Sequence, residues 1–492
     1  MLKINKRIWN IINLVAFLTI SFKLYLNIKN ASNGLDYHLL HIDERQIIDS
    51  ILNVFQISDE FERFNFIQDG LIKNLVIIFG ELFFGGNLDF GRLWINIFIF
   101  VSGPFYFFNP NMMIFVSRLI QISFFYIFII YLLLNFIDKN KRGLFLLIVL
   151  GIPGLIYIIE NPKPDTLLLI FFFIGIKKIF QDNEINRGFF FIGISIGLKI
   201  ISLVPALLLG LYLIYPIKQI NSLDKFFKVN LFTLLGLVVG QPALLIPHPS
   251  IYKRIFSAIS QASSYNQTNF FILDTSNALN WIDTLSSWFA VNQFFIFLLY
   301  FLVIIEIFFN VFKNINIQQN YYLISFLLTS LFLFFNVERI WIYYLAIPFF
   351  IFILYFFSIN KFFVVTKVTI VILVLLLING MGVNFEKLSS NYLYVDTQKE
   401  ENMYAAIDFI NSEYLEKNFY YNTVLWDPDY YFPRNGVTFN GYFKVLENWE
   451  ITENYQPLYK NSDFIVTTKI FDFEENVVAK NIGDLYIYYL SK

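Results

Sequence analysis

YHLLHIDERQIIDS (37–50) sets His38, His41, Asp43, Glu44 and Arg45 just beyond the first hydrophobic stretch of the chain. Acidic side chains a short loop away from an apolar segment of that length ask for a reason that a solvated loop in a soluble protein would not. Read outward from this cluster, the chain is a series of hydrophobic helices that hold it at one face of a membrane.

Of the 492 residues, 57% are hydrophobic, 20% aromatic and only 15% charged, with a mean hydropathy of +0.59. These values lie outside the range of soluble globular domains and inside that of integral membrane proteins. A formal charge of −1 gives no reason to expect nucleic acid as a partner. The lack of Cys excludes thiol catalysis, Cys-based metal centres and disulfides. Richness in Phe, Ile, Asn and Lys fits an AT-rich genome and a bacterial plasma membrane.

Charge and hydropathy together predict the topology. Lys3, Lys6 and Arg7 precede an apolar stretch over 8–28 that no small-residue cleavage site follows. That pattern predicts an uncleaved first helix with a cytoplasmic N-terminus. Residues 29–70 then form an outer loop with amphipathic pieces such as QIIDSILNVF, which suit the membrane interface. The apolar pieces 71–84 and 92–108 each fall short of the ~20 residues of a full span. Whether they cross or lie flat, they add an even number of crossings. Residues 112–137 run to Lys139, Lys141 and Arg142 inside, 143–159 return, and ENPKPD (160–165) is an outer turn. The stretch 166–181 comes back to Lys177, Lys178 and Arg187. Residues 188–215, interrupted by Lys199, Ser202 and Pro205, predict a short helical pair broken at membrane depth. Span 227–246 leads to a second large outer loop, 247–287, carrying His248, Lys253 and Arg254. Spans at 288–312, 320–336, 340–358 and 363–382 follow, leaving Glu338 and Arg339 outside.

From about Asn384 the composition turns polar, and one helix near 397–416 is followed by the apolar runs TVLW, DFIVTTK and LYIYYL. This pattern predicts an α/β domain of about 100 residues. The expected fold is therefore mainly α. It comprises a polytopic transmembrane helical bundle of about 11–13 hydrophobic helices over 1–384 and a small extracytoplasmic α/β domain over 385–492.

Parity of the crossings gathers all three His, Asp43, Glu44, Glu160, Asp165, Lys253, Arg254 and Arg339 on the outer face. Adjacent on a helix, Asp43 and Glu44 point ~100° apart, so one can act while the other orients. The competing reading is a solvated acidic turn beside an interfacial helix. Asp165, after Pro164, reads as a helix-opening carboxylate that can also serve a site. Lys199 sits in an apolar run, where a cation costs ~2.5–3.5 kcal/mol unless paired or wetted. It either snorkels to the interface or meets an anion in a polar cavity. Arg339 has a local rival partner in Glu338, and Arg118 reads as a headgroup anchor. The spacing of His38, His41 and Asp43 matches no closed metal motif, so no metal ligands are assigned.

The order of these features resembles the GT-C class of glycosyltransferases. Within it the chain looks like the polyprenyl-phosphate-sugar-dependent enzymes related to aminoarabinose transferases and protein O-mannosyltransferases. The resemblance is carried by HIDERQ (41–46), SRLIQI (117–122), NPKPDTLLL (161–169), GISIGLKIISLVPALL (193–208), QPALLIPHPSIYKR (241–254) and ERIWIYYLAIP (338–348). It implies a sugar on a polyprenyl phosphate as donor and a hydroxyl of a lipid, glycan or protein as acceptor, met at the outer face. The family's first-loop carboxylate maps onto Asp43, with Glu44 beside it, and its second acidic position onto Asp165. Lys199, Arg339, Arg254 and His41 are the matches for binding the lipid phosphate and sugar. No cofactor is expected; a divalent metal is possible in the class, but the Lys and Arg supply makes it unnecessary. Two other readings stay open: a transporter or flippase of lipid-linked glycan, which would line a path at the bilayer midplane with charge, and a non-catalytic scaffold displaying the terminal domain.

Overall fold

The computed structural model describes residues 6–32, 35, 42–55, 80, 82, 91–152, 158–159, 163–214, 219–220, 222–245, 275–312, 317–336, 342–358, 364–389, 402, 405–410, 412–413, 423–426, 442–445, 463–468, 470 and 477–490. It divides into two compact units, Met1–Lys29 with Gln46–Ser390, and Asn30–Arg45 with Asn391–Lys492.

The first unit is helical. Its elements are α1 (Lys6–Ala31), α2 (Ile42–Phe55, which begins in the second unit), α3 (Arg92–Val101), α4 (Pro110–Asn135), α5 (Arg142–Leu150), α6 (Asp165–Phe180) and α7 (Ile185–Leu198). They continue with α8 (Leu203–Ile214), α9 (Leu223–Gly240), α10 (Thr275–Phe289), α11 (Gln293–Phe312), α12 (Ile317–Asn336), α13 (Ala346–Ser358) and α14 (Val364–Ser389). Among the described residues, two helices are long and apolar enough to cross a membrane, Trp9–Ala31 and Pro110–Asn135. A third joins them if Ala278–Phe289 and Gln293–Phe309, bent by 109°, count as one span. The 3-10 turns at Gly103–Phe107 and Ile200–Ser202 fall in the stretches 92–108 and 188–215 that the sequence reads as short or broken, and a third, Ile342–Leu345, precedes the 13-residue α13 where a full span over 340–358 was expected.

Glycines set the closest helix packing. A Cβ on Gly193 would lie 2.1 Å from the Thr233 carbonyl oxygen, and one on Gly236 would lie 1.9 Å from that of Phe190. Gly197 and Gly240 meet in the same way one turn further on. Both helices thus carry a G-x-x-x-G pair, which lets backbones approach where a side chain would hold them apart. Contacting residue numbers rise together along the two helices, so α7 and α9 run parallel, and α8 is the return between them. Helix α6 runs antiparallel to α7, its Gly175 against the carbonyl of Gly188.

The sequence expected an outer loop over 247–287, but residues 275–287 belong to α10. Its buried Ala278, Trp281, Ile282, Leu285 and Phe289 recur at helical spacing, so the aromatic and polar residues between them mark the outer side of a helix. In the second unit five strands form one sheet in the order β2-β1-β3-β5-β4: β1 (Thr423–Trp426), β2 (Tyr442–Val445), β3 (Phe464–Thr467), β4 (Val477–Ile482) and β5 (Leu485–Leu490). Strands β1, β2 and β3 are parallel; β5 and β4 are antiparallel. The runs TVLW, DFIVTTK and LYIYYL supply β1, β3 and β5. Strand β3 is buried on both faces, whereas β4 is largely exposed and carries Lys480 on its edge, a charge that discourages further pairing.

Gly236→Ala should overpack the α7–α9 contact and lower stability by about 2 kcal/mol, read as a lower melting temperature in detergent. Gly210→Ala, where nothing lies within 4 Å, should lose nothing and gain up to ~1 kcal/mol of helix propensity.

Candidate functional site

Asp165 opens α6 directly after Pro164 (φ −67), so its carboxylate sits in the first turn, where the helix dipole favours negative charge. Lys199 closes α7 in an extended conformation (φ −163, ψ 129), where the dipole favours a cation. The antiparallel packing of α6 and α7 brings the two ends together. Lys199 Nζ donates to both carboxylate oxygens of Asp165, at 2.8 and 3.0 Å. The side chains are only 11% and 5% exposed. The ammonium also lies 4.3 Å from the centre of the Tyr344 ring, a cation–π distance. Lys199 therefore pairs with a carboxylate and does not snorkel.

Other polar residues complete this end of the unit. Gln121 on α4 donates to Thr166 Oγ1 at 3.2 Å and to the Ile158 carbonyl. Gln241, just past α9, accepts the Arg92 backbone N–H at 3.1 Å, while Gly91 donates to the Leu198 carbonyl at 2.9 Å. The start of α3 is thus fastened to the residue before Lys199. Gly91 has to be glycine, because a Cβ would lie 2.5 Å from Leu198 Cα and from the Gly197 carbonyl oxygen. Arg92, Arg118 and Lys163 are all buried. Arg118 is 1% exposed, which overturns its reading as a headgroup anchor.

Of the residues the sequence singled out, Asp165 and Lys199 are in direct contact. Glu44 is buried on α2 within the second unit, and Asp43 occupies the first turn of the same helix, its side chain outside the described residues. His41, Arg254 and Arg339 also lie outside the described residues. Among the described residues no three His, Asp or Glu side chains cluster as metal ligands. Sequence reasoning missed Tyr344, Lys163 and the Gln121–Thr166 contact. Lys163 and Tyr344 lie within stretches already quoted, NPKPD and ERIWIYYL, and that position was the available signal.

A second charged cluster marks the opposite end of α6, about 24 Å away by the rise of a 16-residue helix. There Lys178 pairs with Asp182 at 2.9 Å and Glu184 at 3.0 Å, and Arg187 pairs with Glu184 at 3.0 Å. The Lys178 ammonium holds both carboxyls below their ordinary values, with Arg187 adding to the effect at Glu184. Compared with known proteins, the chain matches no family model, no curated protein and no solved structure.

Asp165→Asn leaves a buried ammonium without its counter-ion and should cost about 3–5 kcal/mol, whereas replacing both partners (Asp165→Leu with Lys199→Met) should recover most of that loss. Equilibrium unfolding of Asp165→Leu, Lys199→Met and their double measures the coupling, and additive losses would mean there is none. At the other end, depressed carboxyl values mean that stabilisation is present above the ordinary values of 3.8 and 4.5 and lost as pH falls through the lowered ones. The melting temperature should therefore drop more steeply below about pH 4 in the wild type than in Asp182→Asn/Glu184→Gln.

Proposed function

We propose that this chain is an integral-membrane glycosyltransferase of the GT-C class. It moves a sugar from a polyprenyl-phosphate donor to an acceptor hydroxyl at the outer face of a bacterial plasma membrane, in cell-envelope glycosylation. The observation that carries the reading is the convergence of three distant motif stretches, NPKPDTLLL, GISIGLKIISLVPALL and ERIWIYYLAIP, on the buried Asp165–Lys199–Tyr344 contact. Helices of 16 and 14 residues reach about 21–24 Å, less than the ~30 Å of a bilayer's hydrocarbon core. With the Lys178 end at the cytoplasmic surface, the ion pair then lies in the outer third of the membrane, at the break between α7 and α8. Irregular backbone and paired charge at that depth belong next to a polar cavity or a functional centre.

In the mechanism that the GT-C resemblance implies, Asp43, as the first-loop carboxylate, takes the proton of the acceptor hydroxyl as its oxygen attacks the anomeric carbon. The bond from that carbon to the phosphate oxygen breaks, the polyprenyl phosphate leaves, and the anomeric centre is inverted. Glu44 or Asp165 orients the reacting groups, and His41 helps to bind the lipid-linked sugar. Lys199, with Arg339 or Arg254, offsets the charge developing on the phosphate. Asp165 gives Lys199 its place. Two of the three ammonium donors are on Asp165, so the cation serves the phosphate by exchanging one of those bonds, without being freshly desolvated.

In an assay with lipid-linked sugar, Asp43→Asn should lower turnover by about 10²–10⁴-fold at unchanged expression and melting temperature. Retained turnover would remove Asp43 as the base. Lys199→Gln should also reduce kcat.

A further inference from the structure

The cytoplasmic end of the same helices holds a feature that the transfer reaction does not use. A cleft of about 470 Å³ opens between the α6–α7 turn and the start of α9. The turn is fixed: Asn183 takes a left-handed conformation (φ 57), and Glu184 N–H bonds the Lys178 carbonyl at 2.8 Å. Two cations line the cleft, Arg187 and Lys225. Arg187 is 71% exposed and gives one nitrogen to Glu184, which leaves further guanidinium donors. Lys225 is exposed and makes a 3.3 Å bond to the Gln219 carbonyl. The one carboxylate in the lining, Glu184, is already matched by Lys178 and Arg187. Asn183, Asn186 and Gln219 add amide donors, and Val229 and Phe232 form an apolar wall.

Along α9 that wall continues at i+3 and i+7 from Phe232, where Leu235 is 47% and Val239 41% exposed. Cationic and amide donors at the mouth with an apolar strip leading away from them match an anionic headgroup with the upper part of its acyl chain, not a small soluble anion, which has no use for the strip. We infer that this cleft binds an anionic glycerophospholipid of the inner leaflet, its phosphate on Arg187 and Lys225 and its chain along α9. The inference rests on the membrane placement proposed above and is independent of the transfer chemistry.

The test uses the full chain purified in neutral detergent, with phosphatidylglycerol and phosphatidylcholine of matched chains as probes and native mass spectrometry as the readout. Wild type should retain phosphatidylglycerol in preference to phosphatidylcholine. Arg187→Gln/Lys225→Gln should bind it about thirtyfold more weakly, or about 2 kcal/mol. Arg187→Lys/Lys225→Arg should restore binding. Arg7→Gln/Lys139→Gln, which removes equal charge from exposed positions outside the cleft, should leave it unchanged. Equal retention of both lipids, undiminished binding in the Gln variant, or an equal fall in the control pair overturns the proposal. So does displacement by millimolar inorganic phosphate, which would make the cleft a small-anion site. Asp43→Asn should keep the lipid, so a failure here is distinct from a failure of the transferase reading.

Discussion

A lysine at the end of an apolar helix and an aspartate at the start of its neighbour, joined by two hydrogen bonds of 2.8 and 3.0 Å, are the contact around which the first unit is arranged. Two charges this buried are tolerated because each answers the other and each sits at the helix end whose dipole suits it. Removing either would leave an uncompensated charge among apolar helices. The pair therefore ties the register of α6 to that of α7, and through the Tyr344 ring it reaches the segment that leads into α13.

The approach of α7 to α9 is the second condition. Backbone carbonyls pack where Cβ atoms would be, at Gly193, Gly197, Gly236 and Gly240. Larger side chains would hold the helices apart at that distance, so small residues have to allow the approach. Because the glycines fall at the C-terminal ends of both helices, they also crowd Gly91, Leu198 and Gln241 together. The backbone around Lys199 is thereby fixed from three sides.

The two ends of the α6–α7 hairpin differ in burial and so in use. At one end the ion pair is buried and its two charges answer one another. At the other the carboxylates and cations are partly exposed, shared among several partners, and open onto a cleft. Burial makes the first end a rigid element and leaves the second able to exchange its partners with a ligand.

Much of the fold was legible in the sequence because apolar run length, basic flanks and the switch to a polar composition with short apolar runs after Asn384 are local signals. The helices over 110–135, 165–180 and 223–240, the broken pair around Lys199 and three of the five strands follow from them. Strands β2 and β4 were not legible. Strand β4 is mostly exposed and carries no alternation to read, and β2, only four residues long, takes its place from pairing with β1. Helix α10 was written in its buried periodicity but masked by its polar outer side. Asp165 and Lys199 could each be named from position, one after a proline and one inside an apolar run. That they answer one another across 34 residues, and that Arg118 turns inward, was decided only by tertiary structure. Which charge neutralises which depends on how closely α6 and α7 approach, and that approach is permitted by Gly175 and Gly188 on the two helices themselves.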